Sequence, residues 1–227
     1  KSYESEGTMS RYLKYLNILW MVIIMGSTHA KTETAIFAGG CFWCMEADFD
    51  KLVGVLNTES GYDGGDTKNP TYEAVAQGKT NYAESVRVTF NPKLISYKQL
   101  VEYYWHHIDP TTENKQFCDE GHQYRSAIFY LNAKQKQIAE QSKQQIAKHF
   151  IHVYTEVVPS THFYVAEAYH QNFHKNHDLK YKYYRYRCGR DARLKAVWKG
   201  KTMPDNIKKL SPLQYEVTQE GGTEKAY

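Results

Sequence analysis

The densest chemistry in the chain lies in Gly39-Gly40-Cys41-Phe42-Trp43-Cys44-Met45-Glu46. A thiol does redox or nucleophilic work once its proton is removed, so the surroundings of each cysteine decide its use. Here a strand-like run, Thr34 to Phe37, gives way to two glycines and then to a helical pattern over Cys41 to Lys51. The glycines allow a tight turn. Cys41 then opens the helix, where free N–H groups and the helix dipole favour a thiolate. The pattern predicts Cys41 as a nucleophile flanked by two large aromatics, Phe42 and Trp43.

The other thiols are Cys44, Cys118 and Cys188. One Cys-x-x-Cys pair with two distant partners fits neither a zinc ribbon nor a zinc finger. A chain of 227 residues has no need of disulfides to hold its core. Redox chemistry is the better use for them, and no metal is expected. Two further stretches gather polar groups at turns. One runs through Gly61-Tyr62-Asp63-Gly64-Gly65, Asn69-Pro70-Thr71-Tyr72-Glu73 and Asn81-Tyr82-Ala83-Glu84. The other runs from Asp109-Pro110-Thr111 to Gln116-Phe117-Cys118-Asp119-Glu120-Gly121-His122-Gln123-Tyr124-Arg125-Ser126.

Taken together, these motifs resemble the A family of peptide-methionine sulfoxide reductases. The shared features are Gly-Cys-Phe-Trp-Cys, Gly-Tyr-x-Gly-Gly, Asn-Pro-Thr-Tyr, Ala-Glu before a strand, Asp-x-Gly-x-Gln-Tyr-Arg-Ser, and Tyr169-His170-Gln171, in the family's order from about Thr34 to Trp198. The resemblance implies that Cys41 is the nucleophile and Glu84 the acid. It places Tyr72, Asp119 and Tyr124 around the sulfoxide, and Phe42 and Trp43 around the substrate's S-methyl group. It also implies a compact α+β sandwich with a long coiled C-terminal part.

The implied roles are chemically coherent. A sulfoxide sulfur is a poor electrophile until its oxygen is hydrogen-bonded or protonated. A carboxylic acid can supply that proton near neutral pH only if its pKa is raised. Glu84 is therefore expected to be partly buried and to stay protonated when substrate is bound, with Tyr72 and Tyr124 donating to the oxygen. Attack leaves Cys41 as a sulfenic acid, which condenses with a second thiol. Cys188, in Tyr186-Arg187-Cys188-Gly189-Arg190, is the preferred resolving thiol because the family draws it from the C-terminal coil. Cys44 and Cys118 remain alternatives; Phe117-Cys118 also departs from the glycine-led pair many members carry there. Methionine S-sulfoxide, free or in proteins, is the expected substrate, and a thioredoxin or thioredoxin-like protein the expected reductant, with no bound cofactor. Rival readings are a thioredoxin-like oxidoreductase acting through Cys41 and Cys44, and a binding module built on tyrosine and tryptophan.

The elements that must position these residues alternate strand and helix. Ser85 to Phe90, Ala127 to Leu131 and Thr155 to Val158 read as strands. Ser96 caps a helix whose stripe is Tyr97, Leu100, Val101, Tyr104, Trp105 and Ile108. Ala133 to His149 reads as a polar surface helix anchored by Ile138, Ala139, Ser142 and Ile146. The fold class expected is α+β, a two-layer sandwich with a mixed sheet and a long irregular C-terminal segment. Composition is that of a soluble fold, 41% apolar and 24% charged, with 20 tyrosines. A net charge of +4 is too mild to imply nucleic acid, and the basic, tyrosine-rich run Lys180 to Arg187 comes with no recognised binding motif.

The chain is expected to divide into a leader over residues 1–30, a reductase domain over 31–199 and a third part over 200–227. In the leader, Met9, the basic Arg11 and Lys14, the apolar run Leu16 to Met25 and the small residues up to Ala30 have the form of a secretory signal. That predicts a periplasmic or secreted monomer, free of the membrane once the signal is removed. In the third part, Leu210 to Glu224 resembles the opening of a B-type methionine sulfoxide reductase domain, which handles the opposite epimer.

Overall fold

The computed structural model describes residues 32–201 and Lys209. The expected leader and almost all of the expected third part lie outside the described residues. Over the rest, strands β1 (Glu33–Gly39), β2 (Val55–Asp63), β3 (Ala83–Phe90), β6 (Ser126–Tyr130), β7 (Glu156–Pro159) and β8 (Tyr164–Val165) form one six-stranded sheet in the order β7-β6-β1-β3-β2-β8. Strands β6 and β7 run parallel, and the other neighbours are antiparallel. The sheet is mixed and the class is α+β, as expected. Two short strands, β4 (Lys115–Gln116) and β5 (Asp119–Glu120), make a separate hairpin.

Helices α1 (Phe42–Phe49) and α3 (Tyr97–Trp105) pack with the sheet around the main core, which includes Phe37, Met45, Phe49, Val86, Val88, Leu100, Tyr104 and Trp105. Helix α3 begins at the expected cap: Ser96 and Gln99 form a reciprocal capping box. Its whole predicted stripe, through Ile108, is buried. Helix α4 (Ala133–Ile146) lies outside and buries only Gln135 and Ala139. Its Ser142 accepts a hydrogen bond from Trp105 Nε1 at 2.6 Å.

Strand β2, between β3 and the edge strand β8, is the element that the alternation did not reveal. Its sequence VLNTESGYD lacks a clean period, because both faces of its second half are covered. A short helix, α2 (Tyr72–Ala76), lies between β2 and β3. The C-terminal segment is richer in helix than a coil: after α5 (Phe173–Asn176) come α6 (Asp178–Arg187) and α7 (Arg190–Val197). Their weak periodicity reflects how they are held. Charge pairs, rather than an apolar stripe, tie them to α1, whose Glu46, Asp48 and the following Asp50 are all buried. Arg185 meets Asp48 at 2.9 Å, Lys175 meets Asp50 at 2.9 Å, and His174 meets Asp50 at 3.2 Å. Buried carboxylates need such partners, so the sequence of α1 itself calls the C-terminal segment back over it.

Candidate active site

The sheet's topology assembles the site at the end of β1. Because β3 and β6 are antiparallel to β1, both begin where β1 ends: Ala38 pairs with Ser85, and Gly39 with Ser126. Glu84, just before Ser85, and Tyr124, just before β6, are thereby carried to the Gly-Gly turn that delivers Cys41. Gly40 adopts φ +80°, a conformation open to glycine, and a Cβ there would stand 2.6 Å from Gln116 Cβ. Arg190 secures the turn from the C-terminal side by donating to Gly39 O at 3.1 Å and His107 O at 2.7 Å.

Cys41 is the N-cap of α1 and is buried, as is Glu84. The Phe42 N–H donates to Glu84 Oε2 at 3.0 Å. Burial pushes the Glu84 carboxyl up to about 8, with the Phe42 bond opposing and the charges of Asp119 and Cys44 adding to it. Glu84 is thus more deeply buried than expected and keeps its proton at neutral pH. The expectation of a thiolate at Cys41 is corrected. Burial raises its thiol well above the ordinary value, and Cys44, Glu84 and Asp119 push the same way. Desolvation in the cradle outweighs the helix dipole, and the first N–H of α1 is spent on Glu84.

The phenols face the same cradle. Burial raises Tyr72 to about 12, and the charges of Glu84, Cys41 and Asp119 act on it in the same direction. Tyr124 is raised by burial and then by Glu84, Asp119, Tyr72 and Cys41. Each remains a proton-bearing donor at neutral pH. The sequence-predicted Cys41, Glu84, Tyr72, Asp119 and Tyr124 are therefore brought together.

Phe42 and Trp43 flank Cys41, Phe42 buried and Trp43 half-buried. Their orientation comes from His170, whose ring packs on Phe42 and Tyr72 at centroid distances of 4.9 and 4.3 Å. The Trp43 Nε1–H donates to His170 Nδ1 at 3.1 Å, and Phe173 stacks on the indole at 3.8 Å. Gln171 then acts as a piece of strand: its side chain accepts from Ser60 N–H and donates to Ser60 O. Glu167 accepts from Tyr62 OH at 2.7 Å and from Tyr72 N–H at 2.8 Å. His170 and Glu167 had no predicted role, although His170 lies in a recognised motif.

Asp119 joins the cradle to the remaining cysteines. Its carboxyl accepts from Tyr184 OH at 2.7 Å, and it is raised chiefly by burial. Its oxygens lie 3.6 Å from Cys118 Sγ and 4.0 Å from Cys188 Sγ. Cys118 and Cys188 form a disulfide, while Cys41 and Cys44 are free. Cys118 is exposed and Cys188, which ends α6, is half-buried. Tyr184 was missed in the sequence, though it stands one helical turn before Cys188.

A sequence model of the family described as peptide methionine sulfoxide reductase matches residues 33–202. The chain belongs to this family. Peptide methionine sulfoxide reductase MsrA of Bacillus licheniformis is 47% identical over 171 residues, 74% of this chain and 94% of its own length. Peptide methionine sulfoxide reductase MsrA/MsrB of Vibrio cholerae is 40% identical over 231 residues, which is 88% of this chain but 61% of that relative. Among solved structures, methionine sulfoxide reductase A of Corynebacterium diphtheriae superposes with a TM-score of 0.61 at 32% identity, covering 67% of this chain and 78% of that one. Thiol-dependent reduction of methionine sulfoxide is the chemistry of the family.

Proposed function

We propose that Cys41 reduces the S epimer of methionine sulfoxide, free or within proteins, with Glu84 as the acid. The observation that carries this reading is a buried, protonated Glu84 tied to the N–H next to Cys41. Tyr72 and Tyr124 donate to the sulfoxide oxygen, and Phe42 and Trp43 receive the methyl and the polarisable sulfur. Glu84 gives its proton to that oxygen and receives the proton leaving Cys41. The oxygen passes to Cys41, which becomes a sulfenic acid, and the thioether methionine departs.

Cys188 then attacks the sulfenic acid, releasing water and forming a Cys41–Cys188 disulfide. Cys118 exchanges onto Cys188 and frees Cys41. The observed Cys118–Cys188 pair supports this order, since it is the state such an exchange leaves behind. A thioredoxin-like dithiol protein reduces the exposed pair. The longer match to the two-part Vibrio cholerae relative supports reading the residues from 200 onward as a link into a B-type domain, and the leader motif supports a periplasmic or secreted location.

The test is dithiothreitol-driven reduction of the two separated epimers of a blocked methionine sulfoxide. The S epimer should be consumed and the R epimer left by residues 31–201. Consumption of both epimers alike, or of neither, overturns the assignment.

A further inference from the structure

The reaction assigned to Cys41, Cys188 and Cys118 leaves Cys44 without a task. This thiol is free and buried, 1% exposed. It stands on the first turn of α1, three residues after Cys41, and its N–H donates to Cys41 O at 3.1 Å. Both lie in one buried cluster with Ala47, Phe173 and Tyr181. Two cysteines separated by two residues at a helix start can close a disulfide, as dithiol oxidoreductases show.

The redox state of the other pair gives this closeness a meaning. With Cys118 bonded to Cys188, the resolving thiol is consumed while Cys41 is still able to attack. A second sulfoxide arriving before the reductant would convert Cys41 to a sulfenic acid with no free Cys188 to meet it. We propose that Cys44 is a reserve resolving thiol that condenses with Cys41 when the Cys118–Cys188 pair is already oxidised.

The step balances without another reagent. Cys44 sulfur bonds to Cys41 sulfur, the S–O bond of the sulfenic acid breaks, and the hydroxide leaves as water with the Cys44 proton. The Cys44 thiol is lowered from its ordinary value, first by the reduced Cys41 thiol and then by Arg190 and Arg185, against burial and the charge of Asp48; the two guanidiniums still face it once Cys41 is a sulfenic acid. The product shields Cys41 from irreversible oxidation to the sulfinic acid. When a dithiol reductant reopens Cys118–Cys188, the Cys188 thiolate can attack Cys41 sulfur, release Cys44 and return the chain to its ordinary cycle.

The inference rests on Cys41 being the nucleophile, and the experiment separates the two. The fully reduced chain is freed of reductant and given excess methionine S-sulfoxide with dimedone present. Each sulfoxide takes two electrons from thiols, so about two methionines should be released per chain. Unreduced peptide maps should show Cys41–Cys44 beside Cys118–Cys188, with no dimedone adduct. Cys44→Ser should release as much methionine but carry dimedone on Cys41. A Cys118→Ser/Cys188→Ser variant, which keeps the Cys44 site intact, should form Cys41–Cys44 as its one disulfide. Dimedone on Cys41 with Cys44 still alkylatable, in both the native chain and the double variant, overturns the reserve role. No methionine release at all instead refutes Cys41 as nucleophile.

Discussion

The Phe42 N–H donates to Glu84 Oε2 at 3.0 Å, so the first free amide of α1 serves the acid and leaves the neighbouring thiol unassisted. Burial nevertheless keeps the Glu84 carboxyl, an anion in water, protonated at neutral pH, and it pushes the Cys41 thiol further above its ordinary value. Glu84→Gln should lower kcat by about 10²- to 10⁴-fold, the usual worth of a positioned general acid. Native activity should also fall as pH rises through about 8, where the Glu84 proton is lost. Steady-state rates across the neutral and alkaline range check this. An unchanged kcat in the glutamine variant would remove Glu84 from the mechanism.

Stability should carry the same signature. Glu46 and Glu84 both titrate at about 8 when folded, against an ordinary 4.5, with burial as the main cause. Between those values the folded chain keeps protons that the unfolded chain has released. Their contribution is complete below about 4.5 and is lost as pH rises through about 8. Glu46→Gln keeps the oxygen that accepts from Asn172 N–H but cannot ionise. It should stabilise the fold at pH 8 by on the order of 1–3 kcal/mol and have little effect near pH 5. Denaturant midpoints at the two pH values measure the difference, and equal effects at both would contradict the buried-proton account.

The two sulfurs that touch Asp119 should separate under mutation. Cys188→Ser removes the thiol that takes over from Cys41, so it should release about one methionine per chain and then fail with a thioredoxin-like reductant. Cys118→Ser leaves the deeper Cys41–Cys188 disulfide as the end point. Since Cys118 is the exposed member of the pair, this variant should turn over with a small dithiol while losing roughly tenfold or more with a protein reductant, by restricted access. Parallel assays with both reductants decide the matter; undiminished protein-driven turnover in both variants would rule out the exchange.

Much of this site was legible because its parts are local motifs. The Gly-Gly turn, the cap at Ser96 and the stripe of α3 follow from spacing alone, and the antiparallel pairing of β1 with β3 and β6 then brings Glu84 and Tyr124 to Cys41. Strand β2 was not legible, since burial on both faces erases the alternation that marks a strand. Helices α6 and α7 were obscured for a different reason. Arg185 and Arg190 hold them to Asp48 and to backbone carbonyls of the turn, and such long-range charge pairing leaves no period in the sequence. The neutral Cys41 was missed because a helix N-terminus predicts a thiolate only while water remains nearby. Tyr184 and His170 act across 65 and 127 residues respectively, on Asp119 and Trp43, distances at which pattern reading has no purchase.

His170 offers the sharpest check on how the aromatic wall is set. Its Nδ1 accepts the Trp43 N–H, which puts the proton of the neutral ring on Nε2, and burial lowers its pKa so that the ring stays neutral. Losing one such bond costs about 0.5–1.5 kcal/mol, or roughly two- to tenfold in an equilibrium. Because the indole flanks the substrate without donating a proton to it, His170→Ala should raise KM by that factor and change kcat less. Asparagine can present an acceptor from nearly the position of Nδ1, so His170→Asn should recover part of the KM, and the indole emission should track the recovery. A kcat loss as large as that of Glu84→Gln, with KM unmoved, would instead make His170 a participant in proton transfer and break the division of labour between the wall and the acid.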